Sequence, residues 1–318
     1  MAKNFDKILI VLLGAIGDVV MATAILPELC KKYPEAEISW LVGKWSQDVL
    51  KNNPYIDRII AVDDSIFYQK KLPALAALIW SLRKENFDLS VSLHRSFWMN
   101  LLIRFIGAKK RISLPKNSAG GHKIEQALNL LQQTGEENIW PDEDKILGGG
   151  KYVAVCAGGG NNPGTKTERK RWPRENFIEL CREIHKKYDH QIVLVGGKED
   201  ASFANELNFD TLDLTGKTTL LELAALLKKC SVMITGDTGP MHIATAVKTP
   251  VVAVMGPTDP GQTGPYGKNN IVLYKGYDCS PCFLDNRSFK KCPFQIKCLK
   301  DISVGEVLSA VDSILKSQ

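Results

Sequence analysis

Four glycine turns in this chain stand where an anion can be held. They are Gly14-Ala15-Ile16-Gly17-Asp18, Ala157-Gly158-Gly159-Gly160-Asn161-Asn162-Pro163-Gly164, Gly196-Gly197-Lys198-Glu199 and Gly236-Asp237-Thr238-Gly239-Pro240-Met241-His242. A helix start leaves backbone N–H groups outside the helix's own ladder and carries about half a positive charge. A phosphate is therefore a natural guest there. None of the turns has the G-x-G-x-x-G spacing of a dinucleotide fingerprint, and no G-x-x-x-x-G-K-[ST] loop occurs. In the last turn Pro240 suits the first helical position. Gly239 is then the expected N-cap, and the N–H groups of Met241 and His242 point out of the helix end. The His242 side chain adds a donor for a phosphate oxygen. Asp237 would repel that phosphate, so it is expected to order the loop by accepting backbone N–H bonds, or to take a ribose hydroxyl. A plain capping turn explains Gly239 and Pro240 equally well, but not the histidine.

Asp18 has two roles open to it. As the N-cap of the first helix it would contribute ~1 kcal/mol. Directed toward a ligand it would serve as a general base. Lys166, Arg169, Lys170, Arg171 and Arg174 form the densest basic run in the chain. Because they follow a glycine turn, at least one of these cations is expected at the ligand site. There it would stabilise charge that develops on a departing diphosphate.

Those turns need strands to end in front of them. Apolar runs at Ile8–Leu13, Glu37–Val42, Arg58–Val62, Leu89–Leu93 and Arg111–Ser113 alternate with helical patterns at Val19–Lys32, Gln47–Asn52, Leu72–Glu85, Trp98–Ile106 and Ile124–Gly135. The alternation predicts parallel strands joined by βαβ crossovers. A polar stretch with three glycines at 148–150 interrupts it. It then resumes with strands at Tyr152–Cys156, Gln191–Val195, Val232–Thr235 and Val251–Met255, and helices at Pro173–Tyr188, Ala201–Leu207, Thr219–Lys229 and Pro240–Val247. The last segment, Ser303–Ser317, is an amphipathic helix. Two doubly wound α/β domains follow, with ligands expected in a cleft at the carboxyl ends of their strands.

Composition limits the partners. The chain has 318 residues, 44% hydrophobic and 24% charged, with a net charge of +6. Lysines and arginines are spread without aromatic interleaving, which argues against nucleic acid. The mild positive bias suits an anionic small molecule or an anionic membrane surface. The apolar N-terminal run resembles a signal peptide, but Asp6 precedes it and Gly14, Gly17 and Asp18 break it. A cytoplasmic protein is expected. Cys30, Cys156, Cys181 and Cys230 sit in apolar patterns and read as reduced core thiols.

The segments ILIVLLGAIGDVVMATAILPELCKKYP, KRWPRENF and GDTGPMHIA, the last with VVAVMGPTDP downstream, resemble glycosyltransferase family 9. That family includes the ADP-heptose:lipopolysaccharide heptosyltransferases. The resemblance runs from Ile8 to about Ser313. It implies the GT-B fold, an α/β architecture of two facing Rossmann-like doubly wound parallel-sheet domains. Residues 1–147 would bind the acceptor and 148–302 the nucleotide sugar, with the helix of 303–318 crossing back to the first domain. The implied reaction is inverting transfer of heptose from ADP-heptose to an inner-core lipopolysaccharide sugar. Asp18 takes the role of base and Lys170 that of the cation beside the diphosphate. Contacts to the nucleotide sugar fall on Gly14, Gly17, Asp237, Thr238, Gly239, Pro240, Met241 and His242. Glu199 takes the place of the residue that receives the nucleoside. No cofactor and no metal are expected. Leu12 stands where many relatives have arginine, and Arg171 where some have histidine, which leaves acceptor and sugar open. On the acceptor side Arg83, Lys84, Arg95, Arg104, Lys109, Lys110 and Arg111 would suit an anionic lipid-linked saccharide. Association with the cytoplasmic face of the inner membrane is a further expectation.

Asp142-Glu143-Asp144 spells the D-x-D metal signature of the other glycosyltransferase fold, but no strand precedes it, so it reads as chance. Cys279, Cys282, Cys292 and Cys298 are spaced C-x2-C-x9-C-x5-C, which gives the ligand count of a four-thiolate metal site with a loose second pair. Reduced packing or a labile disulfide are the alternatives. Three other functions stand beside the leading one. A transferase of the same fold could use another nucleotide sugar. A nucleotide-sugar 2-epimerase should carry acidic residues where this chain has Pro240-Met241-His242-Ile243-Ala244. A non-catalytic metal-binding protein built on the cysteines should hold metal and show no nucleotide affinity.

Overall fold

The first strand, β1 (Lys7–Val11), is buried along four of its five residues, as a strand covered on both faces must be. The computed structural model describes residues 5–69, 71–94, 97–114, 121–130, 151–159, 168–282 and 292–317. The chain divides into two units, Met1–Trp140 and Pro141–Gln318. In the first, β1 is flanked by β2 (Glu37–Gly43) and β4 (Leu89–Ser92), with β3 (Arg58–Val62) and β5 (Lys110–Ser113) outside them. The order is β3-β2-β1-β4-β5 and every pairing is parallel. The helices are α1 (Ile16–Ala22), α2 (Leu26–Lys32), α3 (Ser65–Tyr68), α4 (Leu72–Lys84), α5 (Phe97–Ile106) and α6 (Lys123–Leu130).

The second unit repeats the plan with six parallel strands. These are β6 (Tyr152–Cys156), β7 (Gln191–Leu194), β8 (Leu212–Asp213), β9 (Val232–Gly236), β10 (Val251–Val254) and β11 (Ile271–Leu273), in the order β11-β10-β9-β6-β7-β8. Its helices are α7 (Arg174–Lys187), α8 (Leu220–Lys228), α9 (Gly239–Ala246), α10 (Pro260–Thr263), α11 (Lys297–Lys300) and α12 (Val304–Leu315). In each sheet the winding reverses beside the first strand, between β1 and β4 and between β6 and β9. Doubly wound sheets bind ligands at the carboxyl ends of such pairs.

Three expectations are revised. The helix expected over Val19–Lys32 is two helices joined by a 3-10 turn at Thr23–Ile25. Pro27 removes an N–H from the ladder and its ring crowds the carbonyl four residues earlier. The short edge strands β8 and β11, each paired on one side only, carry too few residues to show a period.

The last revision concerns the C-terminal helix, expected to pack on the N-terminal domain. It belongs to the second unit. Val307, Val311 and Ile314 enter the same core as Trp172, Phe177 and Leu180, so its apolar stripe is used there. Trp172 packs edge-on against Phe177 with centroids 4.9 Å apart and donates its indole N–H to the carbonyl of Ile302 at 2.9 Å. Ser303 and Glu306 cap the helix reciprocally. Among the described residues no helix is long and apolar enough to cross a membrane.

Candidate active site

In the first unit the site is built at the β1/β4 reversal, where Val11 lies opposite Ser92. The cap of α1 is Ala15, not Asp18. Asp18 sits in the first turn of the helix, so the N-cap position expected for it as one alternative falls to Ala15. A Cβ on Gly14 would come within 3.2 Å of the Asp18 Cβ, which shows the carboxylate folded over the glycine turn. Gly17 is buried beneath it. The Lys123 ammonium, at the start of α6, donates to Asp18 Oδ1 at 2.8 Å. Ser46 pins the turn from the other side, its hydroxyl donating to the Gly14 carbonyl.

Sequence reasoning missed His94. It follows β4 directly, and its Nε2 accepts the Leu13 N–H at 2.7 Å. Burial pushes its pKa down, while the charge of Asp18 pushes it up. An Nε2 that accepts a backbone N–H places the proton of the neutral ring on Nδ1. The available signal was a histidine just beyond a buried strand at a reversal point.

In the second unit Cys156 at the end of β6 lies opposite Thr235 of β9. Beyond Thr235, the cap of α9 is Thr238 and Pro240 is the second helical residue. The expected N-cap, Gly239, is therefore inside the helix. Thr238 adopts extended backbone and shares a hydroxyl hydrogen bond of 3.0 Å with Thr235, which fixes the cap one residue earlier. The donors outside the helical ladder become the N–H groups of Thr238, Gly239 and Met241. The His242 N–H falls within the ladder. Its ring is only 4% exposed and the Met241 side chain is wholly buried, so both side chains pack as core.

Asp237 neither accepts backbone N–H bonds as expected nor stands apart from the basic run. Its Oδ2 accepts a 2.7 Å bond from the Lys170 ammonium, and both side chains are largely buried. The reason is proximity: a Cβ on Gly236 would come within 3.2 Å of the Lys170 carbonyl, so the two segments lie against each other. Of the remaining cations, Arg171 donates to the Gly159 carbonyl at 2.9 Å and Arg174 engages Glu206 and Ser202. Lys166, Gly160–Gly164, Arg95 and the D-x-D at 142–144 lie outside the described residues.

The second and third glycine turns meet at Asp200, which the sequence reading passed over in favour of Glu199. Asp200 accepts the Gly197 N–H at 3.1 Å, and a Cβ on Gly158 would overlap its carboxylate. Burial pushes the Asp200 carboxyl up, against the Gly197 N–H and the Arg171 guanidinium 3.9 Å away. An acid three positions after the glycine turn, placed to accept the Gly197 N–H, was the readable signal. Glu199 itself is exposed beside Gly197. What the second unit offers chemically is an ammonium tethered two residues ahead of a helix start, with glycine backbone alongside.

All eight cysteines are free. Burial pushes Cys156 up to about 11 and Cys181 and Cys230 up to about 12. Cys298 rises to about 11, first by burial and then by the charges of Cys282, Cys279 and Cys292. Among the described residues no group of three or more His, Cys, Asp and Glu side chains is arranged to hold a metal ion.

Residues 150–292 match the model of glycosyltransferase family 9 (heptosyltransferase). The chain is 26% identical to lipopolysaccharide heptosyltransferase 3 of Escherichia coli over 95% of its own length and 97% of that protein's. In fold it is similar to a family 9 glycosyltransferase from Veillonella parvula, at a TM-score of 0.80 and 22% identity, covering 100% of this chain and 99% of the other. It is also similar to the E. coli ADP-heptose lipopolysaccharide heptosyltransferase II, at 0.76 and 22%, covering 98% and 99%. Two parallel-sheet α/β domains in tandem are thus the GT-B fold.

Proposed function

We propose that this chain, whose residues 150–292 match the family 9 model, is a glycosyltransferase that moves heptose from ADP-heptose to a sugar hydroxyl of an inner-core lipopolysaccharide acceptor, with inversion. The acceptor is an anionic lipid-linked saccharide, met at the cytoplasmic face of the inner membrane. The observation that carries the reading is the Lys170 ammonium held on Asp237 at the entrance to α9. A fixed cation beside a helix start stabilises a diphosphate more as it leaves than while it is bonded to the sugar.

Asp18 takes the proton of the acceptor hydroxyl as that oxygen bonds to the anomeric carbon. The bond from that carbon to the diphosphate oxygen breaks, and its electron pair leaves with ADP. The Thr238, Gly239 and Met241 N–H groups and Lys170 receive the negative charge. Pro240 presets the helix start, and buried His242 holds it by packing. Gly14 and Gly17 keep the turn under Asp18 free of side chains, and Glu199 is assigned to the nucleoside.

Calorimetry against ADP, UDP and GDP tests the donor. Binding of ADP at least tenfold tighter than UDP is expected, and a preference for UDP would replace ADP-heptose by another nucleotide sugar. Release of ADP from ADP-heptose only when a lipopolysaccharide core acceptor is added tests transfer. Conversion of the sugar without an acceptor would mean an epimerase.

A further inference from the structure

Helix α4 is apolar on both faces, yet only one is covered. Leu75, Leu78, Ile79 and Leu82 point into the core formed with Met99, Leu102, Ile103 and Ile106. On the other side Leu72, Ala76 and Trp80 recur every four residues, flanked by Pro73 and Ala77, and all five are exposed. Leu72 is 67% exposed and Trp80 63%. A surface helix normally turns charge outward; this stretch has no acidic residue from Lys71 to Lys84. Its charges are cations at the two ends, Lys71 at one and Arg83 and Lys84 at the other, with the Lys84 ammonium 3.2 Å from the centroid of the Trp80 ring. The neighbouring α5 adds Phe105, 49% exposed, and Arg104, and Lys109, Lys110 and Arg111 follow it. Of the acids near this face, Glu85 is matched by Arg58 at 2.9 Å and Asp88 by Lys109 at 2.6 Å, and Asp63 lies near Lys71.

We propose that the outer face of α4, extended by Phe105 and Arg104, is the surface by which this protein docks on an anionic lipid bilayer. The chemistry matches an interfacial helix. Leucine and tryptophan enter the boundary between headgroups and acyl chains, and cations at the rim meet anionic headgroups. A protein partner would need acids facing the rim and an apolar ridge facing Trp80; a bilayer supplies both continuously. The inference rests on the reading that the acceptor is lipid-linked, since a transferase acting on such an acceptor works at the surface that contains it.

The test is co-sedimentation of the full chain with vesicles of phosphatidylcholine alone and of phosphatidylcholine with an equal part of phosphatidylglycerol. The wild type should bind the mixed vesicles and be released by high salt. Leu72→Glu with Trp80→Glu, and separately Arg83→Glu with Lys84→Glu, should each weaken that binding by about tenfold or more. ADP affinity, measured on each variant, should stay at the wild-type value and so reports folding and the donor reading independently of the surface. Absence of wild-type binding to mixed vesicles, or binding that the variants retain, overturns the proposal. A dimer in solution that Trp80→Glu dissociates, with vesicle binding unchanged, also overturns it and assigns the face to a second copy of the chain.

Discussion

The Lys123 ammonium lies 2.8 Å from Oδ1 of Asp18, although 105 residues separate them. One carboxylate oxygen is thereby held by the first residue of α6, and the other lies over Gly14. A charge-assisted bond of this length fixes the direction of the carboxylate. A base that must meet an incoming hydroxyl gains from that fixed direction.

Asp18→Asn keeps the shape and can still accept from Lys123, but an amide takes no proton. Turnover should fall by about 10²–10⁴-fold. ADP affinity by calorimetry should be unchanged, since the diphosphate is assigned to the other unit. Turnover near the wild-type value would remove Asp18 from the mechanism.

Asp237→Asn removes the buried carboxylate to which the Lys170 ammonium donates, and breaking a buried pair costs about 3–5 kcal/mol. Lys170→Met breaks the same pair. The double variant removes both charges, so its thermal unfolding should show a loss well below the sum of the singles. Its transfer activity should nevertheless stay low, because no ammonium remains for the leaving diphosphate. Additive stability losses would show that the two groups are not coupled.

Gly158→Ala places a methyl group where the Asp200 carboxylate sits. Overpacking of this kind destabilises by about 1–3 kcal/mol. Denaturant unfolding should show that loss, and Asp200→Ala in the same chain should return part of it by vacating the space. A Gly158→Ala variant as stable as the wild type would mean that Asp200 can move aside.

How far these features were legible in the sequence follows from the distance over which each is determined. The strand ends and helix starts were readable because β-branched runs, glycine turns and Pro240 act within a few residues. Asp18, Lys170 and Asp237 were readable as candidates for the same reason. The pairings were not: Lys123 meets Asp18, Lys170 meets Asp237, His94 meets Leu13 and Trp172 meets Ile302 only through the folded chain. The cap falls on Thr238 and not on Gly239, because two adjacent residues both suit an N-cap and the folded loop, with Thr238 bonded to Thr235, selects between them. The exposed face of α4 was hidden for the opposite reason. An all-apolar helix reads as buried, and only the structure shows which half of it is covered.

His94 makes stability depend on pH with a predictable sign. Its Nε2 can accept the Leu13 N–H only while the ring is neutral there, and burial lowers its pKa from the ordinary 6.5. The unfolded chain therefore binds the proton more readily than the folded one, and stability must fall as pH drops below about 6.5 toward the lowered folded value. His190 is shifted down as well, by burial and by the charge of Lys151, so the wild-type curve contains both. His94→Gln presents an amide oxygen to Leu13 without a titrating ring. The difference in melting temperature between wild type and this variant should therefore change across that interval and be flat above it. His190→Gln should remove a separate part of the slope. Parallel curves for wild type and His94→Gln would show that the ring takes up its proton equally in the folded and unfolded chains, and would detach His94 from the acid response of the β1/β4 site.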